Sequence, residues 1–202
     1  MKKNTKIIIG ILLTFLIILT TLVIQKKTSN WDNSIYQSMM YFKTPTLDAI
    51  MKSITSLGNT IPVLCVTCII MVYLTKKERY LFACSIITTV LSNQIIKRIV
   101  RIPRPDHLRL VKESGFSYPS GHAMIAIGLY GLLIYLINKK VRDKRKRIIG
   151  NILLAIIIIG IGISRVYVGV HNPSDIIGGY LLSTIILICN ITYWTNRRGV
   201  IR

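Results

Sequence analysis

Ile148–Ile163, IIGNILLAIIIIGIGI, followed by Ser164–Ser174, SRVYVGVHNPS, and Asp175–Tyr193, DIIGGYLLSTIILICNITY, decide the fold. Two almost wholly apolar runs flank a short polar break. A helix needs roughly 20 mainly apolar residues to cross the hydrocarbon core of a bilayer. The outer runs are therefore membrane spans, and the break between them is a turn at one membrane surface. Read the same way, the rest of the chain adds Ile7–Ile24, Thr60–Leu74, Tyr80–Ile96 and Gly121–Ile137. Apolar residues make up 51% of the sequence, which argues against a soluble globule. The expected fold is all-α, a six-transmembrane helix bundle forming one membrane domain over residues 1–202.

The net charge of +20 would suggest a nucleic-acid partner in a soluble protein. Its placement argues for a membrane partner instead. Basic residues gather at Lys2/Lys3/Lys6, at Lys76/Lys77/Arg79, over Lys139–Arg147 and at Arg197/Arg198/Arg202. With six crossings, these clusters share one side, as the positive-inside rule requires of the cytoplasmic face. Both termini are then cytoplasmic in a multi-pass protein of the cell membrane. The cluster Lys139, Lys140, Arg142, Lys144, Arg145, Lys146 and Arg147 reads as a topology anchor, with anionic lipid headgroups a secondary role. Lys2 and Lys3 before an apolar run also fit a signal peptide. The run is long for one and no small-x-small cleavage site follows, so an uncleaved first span is expected.

Between the first two spans lies Gln25–Asn59. Trp31, Ile35, Met39 and Phe42 share a helical face, and Leu47, Ile50, Met51 and Ile54 repeat the spacing after Thr44-Pro45. Two amphipathic helices lying in the interface are expected there, serving either as a cap over the bundle or as a substrate gate. Cys65-x-x-Cys68 has metal or redox spacing but no second pair nearby, so these cysteines read as small packed residues.

The outer loops and helix ends hold what hydrocarbon does not tolerate: Lys97, Arg98, Arg101, Arg104, His107, Arg109, His122, Arg165, His171 and Asp175. This much charge on the outer side departs from the topology rule, and such departures mark function. Three pieces stand out: Lys97-x6-Arg104-Pro105, Pro119-Ser120-Gly121-His122 and Ser164-Arg165-x5-His171-x3-Asp175. Each occurs often by chance on its own, but together they meet one membrane surface.

A phosphomonoester carries roughly −1.5 to −2 charges near neutral pH. Lys97, Arg104 and Arg165 can supply three cations, the arginines as bidentate forks. Pro119-Ser120-Gly121 opens a helix, with Ser120 as cap and Gly121 permitting close backbone approach to an anion. In His171-Asn172-Pro173-Ser174-Asp175, Asn172 suits a cap and Pro173 the first helical position. Asp175 then lies in the first turn, reaching back to hold one ring nitrogen of His171 and leave the other free for attack. His122, on another helix, is available as the general acid. His107 is left over as a solvated loop residue.

These pieces resemble the three-part signature of the type 2 phosphatidic acid phosphatase superfamily, matched from about Lys97 to Asp175 with no motif position missing. The resemblance implies a reaction without metal or other cofactor, through a phosphohistidine at His171 oriented by Asp175. It implies His122 as acid and then base, and Lys97, Arg104, Ser120, Gly121 and Arg165 as phosphate ligands. It also implies a catalytic face outside the cell. Vanadium haloperoxidases share the signature but are larger and soluble. The runs Gly115–Met124 and Gly162–His171 look most like bacterial phosphatidylglycerophosphatase B-type members. Gly121, where bacitracin-resistance-type members often carry aspartate, leans the same way.

The expected activity is hydrolysis of a glycerolipid phosphomonoester, of phosphatidylglycerol phosphate or phosphatidic acid type. Hydrolysis of undecaprenyl pyrophosphate, a polyprenyl substrate, is the alternative. A non-catalytic anion binder or transporter is the third reading, disfavoured because a binder has no use for a nucleophile and an acid.

Overall fold

The computed structural model describes residues 2–196, so the basic residues Arg197, Arg198 and Arg202 lie outside the described residues. The described residues are helical, with no strand among them. In order they form α1 (Lys3–Ile24), α2 (Ser29–Met40), α3 (Pro45–Ser56), α4 (Thr60–Val72), α5 (Lys76–Val100), α6 (Gly121–Ala126), a π-helical segment (Ile127–Gly131), α7 (Leu132–Lys140), α8 (Lys144–Tyr167) and α9 (Pro173–Asn196). Five rods are long and apolar enough to cross a membrane: α1, α5, the continuous Gly121–Lys140, α8 and α9. The side chains they turn outward, such as Phe15, Ile17, Ile95, Ile99, Ile156 and Ile159, are large and apolar. A surface of that kind suits hydrocarbon, where only the internally bonded backbone of a helix is tolerated. The protein is a multi-span membrane protein.

The second span is built differently from a straight Thr60–Leu74. With 13 residues α4 is too short to cross alone, and it qualifies only together with α3 across a bend of 50°. The bend is held by specific contacts. The Leu57 carbonyl accepts from Tyr130 Oη at 3.1 Å, and buried Thr55 accepts from Arg165 at 2.9 Å. Helix α3 begins where the sequence places a break: Thr44 caps it, accepting from Leu47 N, and Pro45 fills a position that needs no donor. It lies along α8, tied by the Tyr167 hydroxyl donating to Asp48 at 2.7 Å.

The face of α2 also differs from the apolar stripe read in the sequence. Its buried residues are Asp32 and Tyr36, whereas Trp31 is exposed and Phe42 lies beyond the helix end. Polar contacts set this rotation. The Asp32 carboxylate accepts from Ser174 N at 2.9 Å and Ser174 Oγ at 2.8 Å, clamping α2 to the start of α9. Cys65 and Cys68 are exposed on the outer surface of α4 rather than packed, because that helix faces outward.

Helices α5, α8, α9 and the Gly121–Lys140 rod pack around Phe82, Leu129, Leu132 and Ile161, all fully buried. At one end of the bundle, Thr75 and Glu78 form a capping box. Glu78 also pairs with Lys139 at 2.7 Å and Lys140 at 2.6 Å, so two cations of the dense cluster fasten α7 to α5. The opposite end gathers the close of α5, the start of α6, the close of α8 and the start of α9. Every motif residue named above lies there.

Candidate active site

Four helix ends bring the site together. Helix α5 stops in left-handed backbone at Arg101, releasing a loop that returns to α6 at Ser120. That loop is pinned by Ser117 N donating to the Ile102 carbonyl at 2.8 Å and by Leu110 N donating to Val168 at 3.0 Å. Gly169, at φ +75°, makes the turn after α8, and any Cβ there would strike the Leu108 carbonyl. The backbone of Ser120 donates to the Asp175 carbonyl at 3.1 Å, joining the starts of α6 and α9.

His171 is buried at the centre of this end. Its Nε2 lies 3.2 Å from Arg104 Nη1. A guanidinium can only donate, so Nε2 presents a lone pair and the ring hydrogen sits on Nδ1. Asp175 Oδ2 accepts from Ser117 Oγ at 2.5 Å and from Asn172 N at 2.8 Å, and lies 3.4 Å from Nδ1. Because the Ser117 hydrogen is spent on Asp175, Ser117 Oγ, 3.1 Å from Nδ1, is the closer acceptor for the Nδ1 hydrogen. Asp175 thus orients the ring in part through Ser117, which the sequence reading passed over although it lies in the quoted Gly115–Met124 run. Burial, then the charges of Arg165, Arg104 and Lys97, push the His171 pKa well below its ordinary value. The ring is neutral at pH 7.

The cations are placed as follows. Arg165, 1% exposed, donates to Thr55 Oγ1 and pairs with Glu113. Its Nε is a buried donor with no hydrogen-bond partner. Arg104 donates to the Ser114 carbonyl at 2.9 Å and the Val170 carbonyl at 3.0 Å, and its Nη2 lies 3.5 Å from Glu113. Lys97 donates to the Phe116 carbonyl at 2.8 Å and bonds to none of the other motif side chains. Glu113 therefore places a carboxylate between two arginines. Burial pushes its pKa up, but the charge of Arg165 and its hydrogen bond outweigh this, leaving Glu113 below the usual range. Glu113 and Asp106 are the only acids between Glu78 and Asp143, a signal the sequence offered.

Ser120 caps α6, and Gly121 lies against Asn93, whose Oδ1 would be 3.2 Å from an added Cβ. Asn93 in turn donates to the Pro119 carbonyl at 2.9 Å. His122 and His171 share no hydrogen bond. Its Nε2 is 2.8 Å from Asn59 Oδ1, and it lines a cavity of about 370 Å³ with Asn59, Thr89, Asn93, Gln94 and Glu113. The cavity touches His122 and Glu113 but not His171, which is covered by Arg104. His107 is not the solvated loop residue expected: its ring stacks on Tyr36 at 3.7 Å between centroids, tying the loop to α2. Buried aromatic surface outweighs the hydration of a neutral imidazole there.

Known proteins resemble this chain along most of its length. The PAP2 superfamily model matches residues 79–199. Phosphatidylglycerophosphatase B of Bacillus subtilis is 31% identical over 181 residues, covering 87% of this chain and 89% of that protein. An undecaprenyl-diphosphatase of Sulfolobus acidocaldarius is 27% identical over 192 residues, covering 91% and 88%. Among solved structures, the transmembrane PAP2 type phosphatidylglycerolphosphate phosphatase from Bacillus subtilis superposes with a TM-score of 0.83 at 27% identity, over 93% of this chain and 96% of that one.

Proposed function

The chain belongs to the PAP2 superfamily and is a membrane phosphatase, and we propose that it removes the phosphate of a glycerolipid phosphomonoester through a phosphohistidine at His171. The substrate is of the phosphatidylglycerol phosphate or phosphatidic acid type. The observation that carries this reading is the pair of contacts on His171: Nε2 facing the Arg104 guanidinium, Nδ1 backed by Ser117 and Asp175. A lone pair is thereby aimed at the place where cations would gather a phosphate.

The substrate phosphate displaces the Glu113 carboxylate from Arg104 and Arg165, and Lys97, Ser120 and Gly121 complete its cradle. Nε2 of His171 attacks phosphorus as the bond to the lipid oxygen breaks, and His122 gives its proton to the departing alkoxide. The fixed cations stabilise charge on the equatorial oxygens, where a low-dielectric, preorganised site is most effective. A water molecule then attacks the phosphohistidine and His122 takes its proton. The nitrogen–phosphorus bond breaks, releasing inorganic phosphate and restoring the Nε2 lone pair. The cavity beside His122, where Val90 and Ile125 meet Thr60 and Gln94, suits a leaving group that is part headgroup and part lipid. By the charge asymmetry of the loops, the site opens on the outer face of the cell membrane, with both termini in the cytoplasm.

The likeness to an undecaprenyl-diphosphatase supports a second reading, a polyprenyl diphosphate substrate. One experiment addresses both. Purified protein in detergent with chelator present is offered phosphatidylglycerol phosphate, phosphatidic acid and undecaprenyl pyrophosphate. Phosphate release is expected to be fastest with a glycerolipid, and faster release from undecaprenyl pyrophosphate would replace the first reading with the second. Offering the preferred lipid to sealed right-side-out vesicles reports orientation: hydrolysis there and none in inverted vesicles is expected, and the reverse places the site in the cytoplasm.

A further inference from the structure

We propose that Asn59, at the bend between α3 and α4, is the positioning residue for His122. This inference rests on the reading of His122 as general acid. Three observations converge on it. Asn59 Oδ1 lies 2.8 Å from His122 Nε2. The neighbouring Gly58 is packed against the same ring: a Cβ there would come within 2.7 Å of His122 Cδ2. The bend that carries both is itself fastened, through the Leu57 carbonyl to Tyr130 and through Thr55 to Arg165.

Asn59 also breaks a local rule. It occupies the N-cap of α4 in extended backbone, where an asparagine side chain ordinarily accepts from an amide of its own first turn. Here it makes no such bond. The third helical position is Pro62, which has no amide hydrogen to offer, so one of the two amides a cap can use is missing. The side chain turns to the histidine instead. A capping residue diverted from its own helix to a catalytic imidazole is a departure from local consistency of the kind that function explains.

The chemistry follows from the acceptor. An amide oxygen holds Nε2 as a donor whether the ring is neutral or protonated. The proton that His122 passes to the alkoxide and later recovers from water is then the one on Nδ1. Asn59 fixes which nitrogen does the work and the plane in which it lies. The tight fit of Gly58 against the ring removes the alternative rotations. The span reading of the chain treats Asn59 as a loop end, whereas here the kinked second span reaches the reaction through it.

The test uses leaving groups. Diacylglycerol departs from phosphatidic acid as an alkoxide that needs a proton, whereas p-nitrophenolate departs from p-nitrophenyl phosphate as a stable anion that does not, and both are read in the first turnover, before water attacks the phosphohistidine. In detergent, Asn59→Leu and Asn59→Ala are expected to lose about ten- to a hundredfold in the first-turnover rate of diacylglycerol release from phosphatidic acid, with half-saturation within about twofold. Their first-turnover burst of p-nitrophenolate from p-nitrophenyl phosphate should stay within about threefold of the unaltered protein, which also shows that they fold. Asn59→Asp, which keeps the acceptor, should recover most of the lipid activity. His122→Ala supplies the control. Equal losses of first-turnover release on both substrates in His122→Ala would refute the acid reading itself. A selective loss in His122→Ala, with either no loss or an unselective loss in both Asn59→Leu and Asn59→Ala, or with Asn59→Asp no better than these, would refute the role of Asn59 alone.

Discussion

His171→Ala is expected to lower phosphate release from lipid phosphates by at least about a thousandfold, because on the proposed mechanism it removes the Nε2 that attacks phosphorus. The three cations are held by other partners: Lys97 by Phe116, Arg104 by Ser114 and Val170, Arg165 by Thr55 and Glu113. Substrate affinity should therefore survive, and the loss should fall on kcat. The substitution leaves a small cavity beneath Arg104 but no buried charge without a partner. Its cost in stability is that of truncating a buried side chain, not of breaking an ion pair. Kinetics on purified protein, with lipid binding measured in parallel, check both halves. Phosphate release within tenfold of the unaltered protein would exclude His171 as nucleophile.

Asp175→Asn is expected to cost about three orders of magnitude in kcat, for a subtler reason. The carboxylate can only accept, and it takes the Ser117 hydrogen at 2.5 Å, which leaves Ser117 to accept from Nδ1 of His171. An amide can turn its NH2 towards Ser117. The Ser117 hydrogen then swings to Nδ1, the ring hydrogen moves to Nε2, and the nucleophilic lone pair is lost. The Nε2 hydrogen would also face the Arg104 donor at 3.2 Å, an opposition the present tautomer avoids. Steady-state kinetics should show kcat falling with KM nearly constant. If Asp175→Asn keeps more than a tenth of the activity, the ring is not oriented by this carboxylate. Ser117→Ala leaves the carboxylate free to accept from Nδ1 directly and should be the milder change.

The parts of this arrangement that were legible in the sequence are those written in local pattern. Long apolar runs mark spans because length and composition alone decide whether a helix can cross hydrocarbon. The three charged pieces could be grouped because an even count of crossings brings them to one surface. His171 and Asp175 could be paired because four residues make one helical turn. What depended on packing between distant segments could not be read. The bend at Leu57–Asn59 comes from contacts with Tyr130, Arg165 and His122, each far along the chain. The rotation of α2 follows Asp32 to Ser174, separated by 142 positions. Glu113, a rare acid among cations, was passed over in the sequence, because its place between two arginines needs the loop to fold back. His107 looked like a spare histidine until its stacking partner, Tyr36, was brought over it by α2.

The segment between the first two spans gains a purpose from these contacts. Asp32 clamps the first turn of the helix that carries Asp175, Thr55 supports Arg165, and Asn59 meets His122. On the proposed mechanism the charged motifs supply the reactive groups, and this segment holds them. A cap over the bundle, one of the two roles expected for it, describes these contacts better than a gate does.

The central claim is a covalent phosphohistidine at His171, and the most direct measurement is to trap it. Purified protein is mixed with lipid carrying radioactive phosphate, quenched in alkali within the first turnover, and digested to peptides. The expected result is label on the peptide containing His171, stable in base and lost in acid, and absent in His171→Ala. Turnover without any such label, or label that persists in His171→Ala, would contradict the account.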